Sequence, residues 1–72
     1  MIENIVRSRL IEARKDMGIS QKEVERRTGI SSIKIAKIET GTQKPDIETI
    51  YELSKFYEVP IEWIFGTGKK EE

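Results

Sequence analysis

Ser32, Ile33 and Lys37 sit at a spacing that gathers them on one side of a short helical stretch. Ser32 and Ile33 are expected to point outwards, with Lys37 one turn further on. A serine hydroxyl can hydrogen-bond to a base edge. A lysine ammonium can reach the acceptors of guanine or a phosphate, and an isoleucine can pack on a thymine methyl. Lys34 borders the same strip. Gln21, in the first turn of the preceding helical stretch, adds a side-chain amide to the free N–H groups of a helix start, which together suit a phosphate. Gln43 and Lys44, in the loop that follows, can hold a phosphate on the other side of the same groove. Each residue also has a plain reading: half-buried packing for Ile33, a solvated first-turn side chain for Gln21, an ordinary loop cation for Lys44.

These side chains are useful only if helices position them. Ile2, Val6, Leu10, Ala13 and Met17 recur at steps of three and four, so the spacing predicts a helix over 2–17 with Gly18 as its left-handed stop. Ile5 and Ile11 lie at the edges of that stripe. Ser20 and Glu23 form a capping-box pattern, with Ile19 as an apolar staple, and open a second helix that ends near Thr28. Gly29 turns the corner, Ile30 enters the core, and Ser31 caps a third helix running to about Glu39. Val24, Ile30, Ile35 and Ile38 hold the two helices together. Thr40–Pro45 is a loop, and Asp46 caps a fourth helix over 47–57 with Ile47, Ile50, Leu53, Ser54 and Tyr57 inside. Pro60 begins a last short helix carrying Ile61, Trp63, Ile64 and Phe65. The prediction is an all-α, five-helix domain over 1–66 with a helix-turn-helix at about 21–39, followed by a flexible polar tail over 67–72.

Seventy-two residues allow one domain with a small core. Neither cysteine nor histidine is present, so disulfides are excluded and a structural metal or catalytic zinc is not expected. The acids are spread over helix faces without a pocket, so no enzyme, cofactor or small-molecule ligand is expected. No apolar run approaches a membrane span, and no signal-peptide core opens the chain, so the cytoplasm is the expected compartment. The net charge of zero hides a division. Residues 1–44 carry ten basic and six acidic side chains, a net +4, and residues 45–72 a net −4. The basic half contains the two-helix unit, where a positive field helps a polyanion to bind.

The segment RLIEARKDMGISQKEVERRTGISSIKIAKIETGTQKPDIETIYELSKFYEVPIEWIF resembles the helix-turn-helix domain of the phage Cro/C1 repressor class, also called the XRE class. That resemblance implies a lambda-repressor-like fold of five helices and sequence-specific binding of double-stranded DNA, commonly by dimers on palindromic operators. It implies that Gln21 contacts phosphate, that Ser32, Ile33 and Lys37 read bases, and that Arg14 pairs with Glu39 at the end of the reading helix. The loop-and-proline element of the family matches Lys44 and Pro45. Two positions depart from the pattern. Glu25 stands where alanine is usual, at the close approach of the second and third helices, and Glu58 stands where glycine often ends the fourth.

The expected activity is therefore transcription regulation, as a repressor acting on a palindromic site. The apolar run Ile61, Trp63 and Ile64 is the candidate dimer surface, with a role in closing the core as its alternative. A protein-interaction module, an antitoxin or a restriction controller built on the same fold is the rival reading.

Overall fold

A computed structural model describes residues 2–70, with 2 and 3 described in backbone only. Met1, the side chain of Ile2, and the tail residues Glu71 and Glu72 lie outside the described residues. Five helices follow in order: α1 (Ile2–Met17), α2 (Gln21–Thr28), α3 (Ser32–Thr40), α4 (Ile47–Tyr57) and α5 (Ile61–Ile64). The long α1 is the axis of the domain and packs against α3, α4 and α5, while α2 leans chiefly on α3 and α5 on α4. Val6, Leu10 and Ala13 supply the α1 side of a core completed by Val24, Ile35, Ile38, Ile50, Leu53, Tyr57, Trp63 and Ile64. With 16 residues α1 outruns its partners, so Met17, on the predicted stripe, is left 38% exposed beyond the core.

The helix-turn-helix has clear local causes. The Ser20 hydroxyl accepts the Glu23 N–H at 3.1 Å and starts α2. The capping box is only half made, because the Glu23 carboxylate turns instead to Arg26 and Arg27, at 2.5 and 2.6 Å. At the other end Gly29 takes φ +82°, a conformation that a Cβ would strain, and donates its N–H to the Glu25 carbonyl. Ser31 then opens α3, its hydroxyl accepting from the N–H groups of Ile33 and Lys34. Asp46 starts α4 by accepting both the N–H and the hydroxyl of Thr49.

Ile47 does not join the inner face predicted for α4. It is 65% exposed, because as the first residue of the helix it lies a quarter-turn from the centre of the buried arc formed by Thr49, Ile50, Leu53, Ser54 and Tyr57. Trp63 and Ile64 lie inside the domain. They are 4% and 0% exposed and close the chain's own core, and Ile61 packs partly buried beside them. Within one domain Trp63 and Ile64 thus take the core-closing role named as the alternative. The Arg9 guanidinium covers the Trp63 ring at 4.8 Å and the Lys70 ammonium approaches it at 5.2 Å. Lys70 also pairs with Glu12 and Asp16 of α1, and Thr67 donates its N–H to the Glu62 carbonyl. Residues 67–70, expected to form part of a flexible tail, thus return across α1 because a cation meets two carboxylates and an aromatic face there.

Glu58 ends α4 in the left-handed region, at φ 60° and ψ 45°, the one non-glycine positive φ among the described residues. For an L side chain this conformation costs about 1 kcal/mol or more. Glu58→Gly should therefore raise the melting temperature by about 4–8 °C, the shift that 1 kcal/mol makes in a domain of this size; an unchanged or lower midpoint would show that Glu58 is not strained.

A second expectation concerns acid. Arg26 and then Arg27 hold the Glu23 carboxyl down at about 2, and the Thr49 hydroxyl and then Lys34 do the same for Asp46. Because both values are depressed on folding, the stability they contribute is complete above about pH 4.5 and lost as pH falls towards 2. Acid unfolding followed by circular dichroism should show this slope, and the Glu23→Gln/Asp46→Asn double variant should flatten it; an identical slope in the variant would rule these two groups out as its source.

Candidate nucleic-acid interface

Glu39, the penultimate residue of α3, is only 7% exposed although it carries a carboxylate. A buried charge needs several partners, and three donors supply them. Arg14 of α1 reaches it with two parallel hydrogen bonds, Nε to Oε2 at 2.8 Å and Nη2 to Oε1 at 2.9 Å. Gln21 of α2 donates its side-chain amide to Oε1 at 2.9 Å. The Arg14 guanidinium also donates to the Ile19 carbonyl, just before α2, at 2.9 Å. One carboxylate thus ties α1, the entry to α2 and the end of α3 together. The hydrogen bond to Glu39 raises the pKa of Arg14 despite its burial, so the guanidinium stays charged. The Tyr57 hydroxyl is buried nearby, and burial followed by the Glu39 charge pushes its pKa up, leaving it neutral.

With its inner face locked in this way, α3 presents the opposite face to solvent. Ile35, Ile38 and Glu39 point inwards. Ile33, 67% exposed, and Lys37 point outwards one turn apart, and Thr40 extends the strip by a further turn. Ser32 lies half-buried at the α2 flank of this strip. Lys34 lies at the other flank, where its ammonium is 3.2 Å from Asp46 Oδ1 and ties α3 to the cap of α4. The predicted base-reading trio therefore divides into two outward residues and one flanking residue.

The side chains predicted to meet phosphate separate into two groups. Gln43 and Lys44 join Asn4, Arg7 and Pro45 around a shallow groove between the start of α1 and the α3–α4 loop. Arg7 also donates to the Glu39 carbonyl at 3.4 Å. Gln21 and Lys34 lie outside this groove, and each holds a protein carboxylate.

Sequence reading missed three contributors. Thr40 was legible, because it lies three residues after Lys37 and seven after Ile33, but it was assigned to the loop. Arg7 gave no local signal beyond its charge. Glu25 gave none for what it does: its Oε1 accepts the N–H of Ser32, at the front of α3, at 3.2 Å. A glutamate at this close approach is accommodated, with its carboxylate turned to the open end of the next helix.

Comparison with known proteins places these features in a wider group. The family model described as helix-turn-helix matches residues 10–64. The cryptic phage CTXphi transcriptional repressor RstR of Vibrio cholerae is 37% identical over 54 residues, which cover 75% of this chain and 49% of the relative. An uncharacterized HTH-type transcriptional regulator, y4dJ of Sinorhizobium fredii, is 33% identical over 54 residues, 75% of this chain and 70% of the relative. The HTH-type transcriptional regulator ImmR of Bacillus subtilis is 33% identical over 58 residues, 81% of this chain and 46% of the relative. The chain thus spans about half the length of RstR and of ImmR. No solved structure matches at comparable significance.

The buried pair gives a thermodynamic expectation. Arg14→Ala should cost about 3 kcal/mol, because Glu39 is then left buried without its cation. Removing Glu39 as well should cost less than the sum of the two single changes, with a coupling of about 1 kcal/mol or more in a denaturant double-mutant cycle. Simple additivity would mean that the two side chains contribute independently.

Proposed function

The chain belongs to the Cro/C1-type helix-turn-helix family of transcriptional regulators, and from that premise we propose that it binds a specific double-stranded DNA sequence and acts as a repressor. α3 enters the major groove with Ile33 and Lys37 against base edges, Ser32 at their flank and Thr40 following. The observation that carries this reading is the outward strip itself. Its exposed isoleucine has no apolar cover, and the Lys37 ammonium forms no ion pair among the described residues, although most cations nearby are engaged. A thymine methyl and a guanine edge would complete both side chains.

Phosphates flank the strip. Arg7, Gln43 and Lys44 face one strand from their shared groove, and the second amide N–H of Gln21, with the start of α2, faces the other. Lys34 contributes to the backbone only by exchanging Asp46 for a phosphate. Two domains related by a two-fold axis would set their reading helices about 34 Å apart on a palindromic site. The longest dimension of one domain is 28 Å, so two copies fit side by side at that spacing. The repressor role is supported by the similarity to RstR, a phage transcriptional repressor, which runs through most of this chain.

Selection of bound duplexes from a random pool, followed by titration of single variants, tests this reading. Lys37→Ala should lose about 1–3 kcal/mol on the selected site and relax the preference at one base pair per half-site. Lys44→Ala should weaken all duplexes evenly and reduce the salt dependence by about one phosphate contact. An intact chain that binds selected and random duplexes equally at moderate salt would refute the proposal. Sedimentation with and without the duplex reads the stoichiometry directly.

A further inference from the structure

The first turn of α3 leaves no backbone donor open. The Ser31 hydroxyl accepts from Ile33 and Lys34 at 3.1 and 3.4 Å, and the Ser31 carbonyl accepts from Ile35 at 3.0 Å. The remaining N–H, that of Ser32, donates to Glu25 Oε1 from across the turn at 3.2 Å. That bond places the charged end of an α2 side chain at the first residue of α3. A helix start with free donors suits a phosphate. Here the donors are taken and a carboxylate stands beside them, so this end of α3 offers an outside group an acceptor.

The carboxylate is not sealed between the helices, because the Glu25 side chain remains 41% exposed. Lys22 stands 3.9 Å from the same Oε1 on a side chain that is itself 84% exposed, a loose pairing that leaves the carboxylate accessible. Both contacts fall on Oε1, and Oε2 is the oxygen left for a partner. The head of a reading helix is the part that meets base edges. In the major groove cytosine presents an amino donor and no acceptor. Adenine sets its amino donor beside the N7 acceptor, and guanine and thymine present acceptors. We propose that Glu25 is a base-reading residue contributed by α2: held at the head of α3 by the Ser32 N–H, it accepts the exocyclic amino group of a cytosine. The same carboxylate rejects guanine and thymine, against whose acceptors it would lie desolvated and unpaired. The inference rests on the DNA-binding reading above and adds a second helix to the reading surface.

The test replaces each base pair of the selected duplex in turn and titrates it with the intact chain and with Glu25 variants. The intact chain should favour cytosine about tenfold over each other base at one position of each half-site, roughly the ratio that a hydrogen bond to a charged group supports. Glu25→Ala should reduce that ratio to within about twofold and leave the position read by Lys37 unchanged. Replacing the same cytosine by its analogue without the amino group should weaken the intact chain by a similar factor and Glu25→Ala hardly at all, the non-additivity expected of two groups in contact.

Glu25→Gln separates reading from capping. Its amide oxygen can still accept the Ser32 N–H, so its melting temperature should stay near that of the intact chain, while an NH2 donor takes the outward position and the cytosine preference is lost. A cytosine preference that survives in both Glu25 variants overturns the inference and leaves the DNA-binding reading intact. So does a selected site in which no position favours cytosine. An even loss over all duplexes in Glu25→Ala does the same, because Glu25 would then be a cap alone. An intact chain without sequence preference overturns both readings.

Discussion

The structure depends on the burial of one carboxylate. Glu39 lies in a core too small to hide an unpaired charge, so it must be met by donors from whatever elements can reach it. Arg14 and Gln21 do so from α1 and α2, and the Arg14 guanidinium extends the connection to the Ile19 carbonyl. Helices of eight and nine residues cannot hold themselves in water. Apolar packing brings them together but tolerates sliding. A two-point hydrogen bond between a planar guanidinium and a carboxylate does not, and it therefore sets the rotation of α3 about its own axis. That rotation decides which side chains face outwards.

Around this anchor the polar residues divide by whether their charge is already matched. Lys34, Arg26 and Arg27 are held by Asp46 and Glu23. Lys37 has no ion pair among the described residues, and with the apolar Ile33 it occupies the face opposite the anchor. The start of α3 is fastened on both sides, to α4 through Lys34 and to α2 through Glu25. A reading helix gains precision when its ends cannot rock, and both fastenings are made by residues that composition alone would class as surface charge. The zero net charge reflects the same economy, since the acids serve as caps and ties beside the basic residues.

The elements were legible because their signals are local. The α1 stripe through Val6, Leu10 and Ala13, the Ser20, Ser31 and Asp46 caps, and the corner at Gly29 all act within a turn or two of their own position. Failures came where local signals end or compete. Met17 and Ile47 are apolar at helix ends, where the period continues but no neighbour covers it. Trp63 could close a core or meet a second chain, and only the packed structure shows the Arg9 and Lys70 cations drawn over its ring. Glu23 had two arginines within one turn, stronger partners than the single N–H that a capping box offers.

By itself the sequence determined five helices, their order, the corner between α2 and α3 and the family to which they belong, because hydrophobic period, capping residues and glycine placement act over a few residues. Tertiary structure decided which polar groups remain available to a partner. Glu25 meeting Ser32, Lys34 meeting Asp46, Gln21 meeting Glu39 and Lys70 crossing α1 are contacts between different elements, and their formation depends on distances that no spacing along the chain encodes. The chemistry of a binding face is what remains after such pairings are made, so it becomes definite only when the helices are packed.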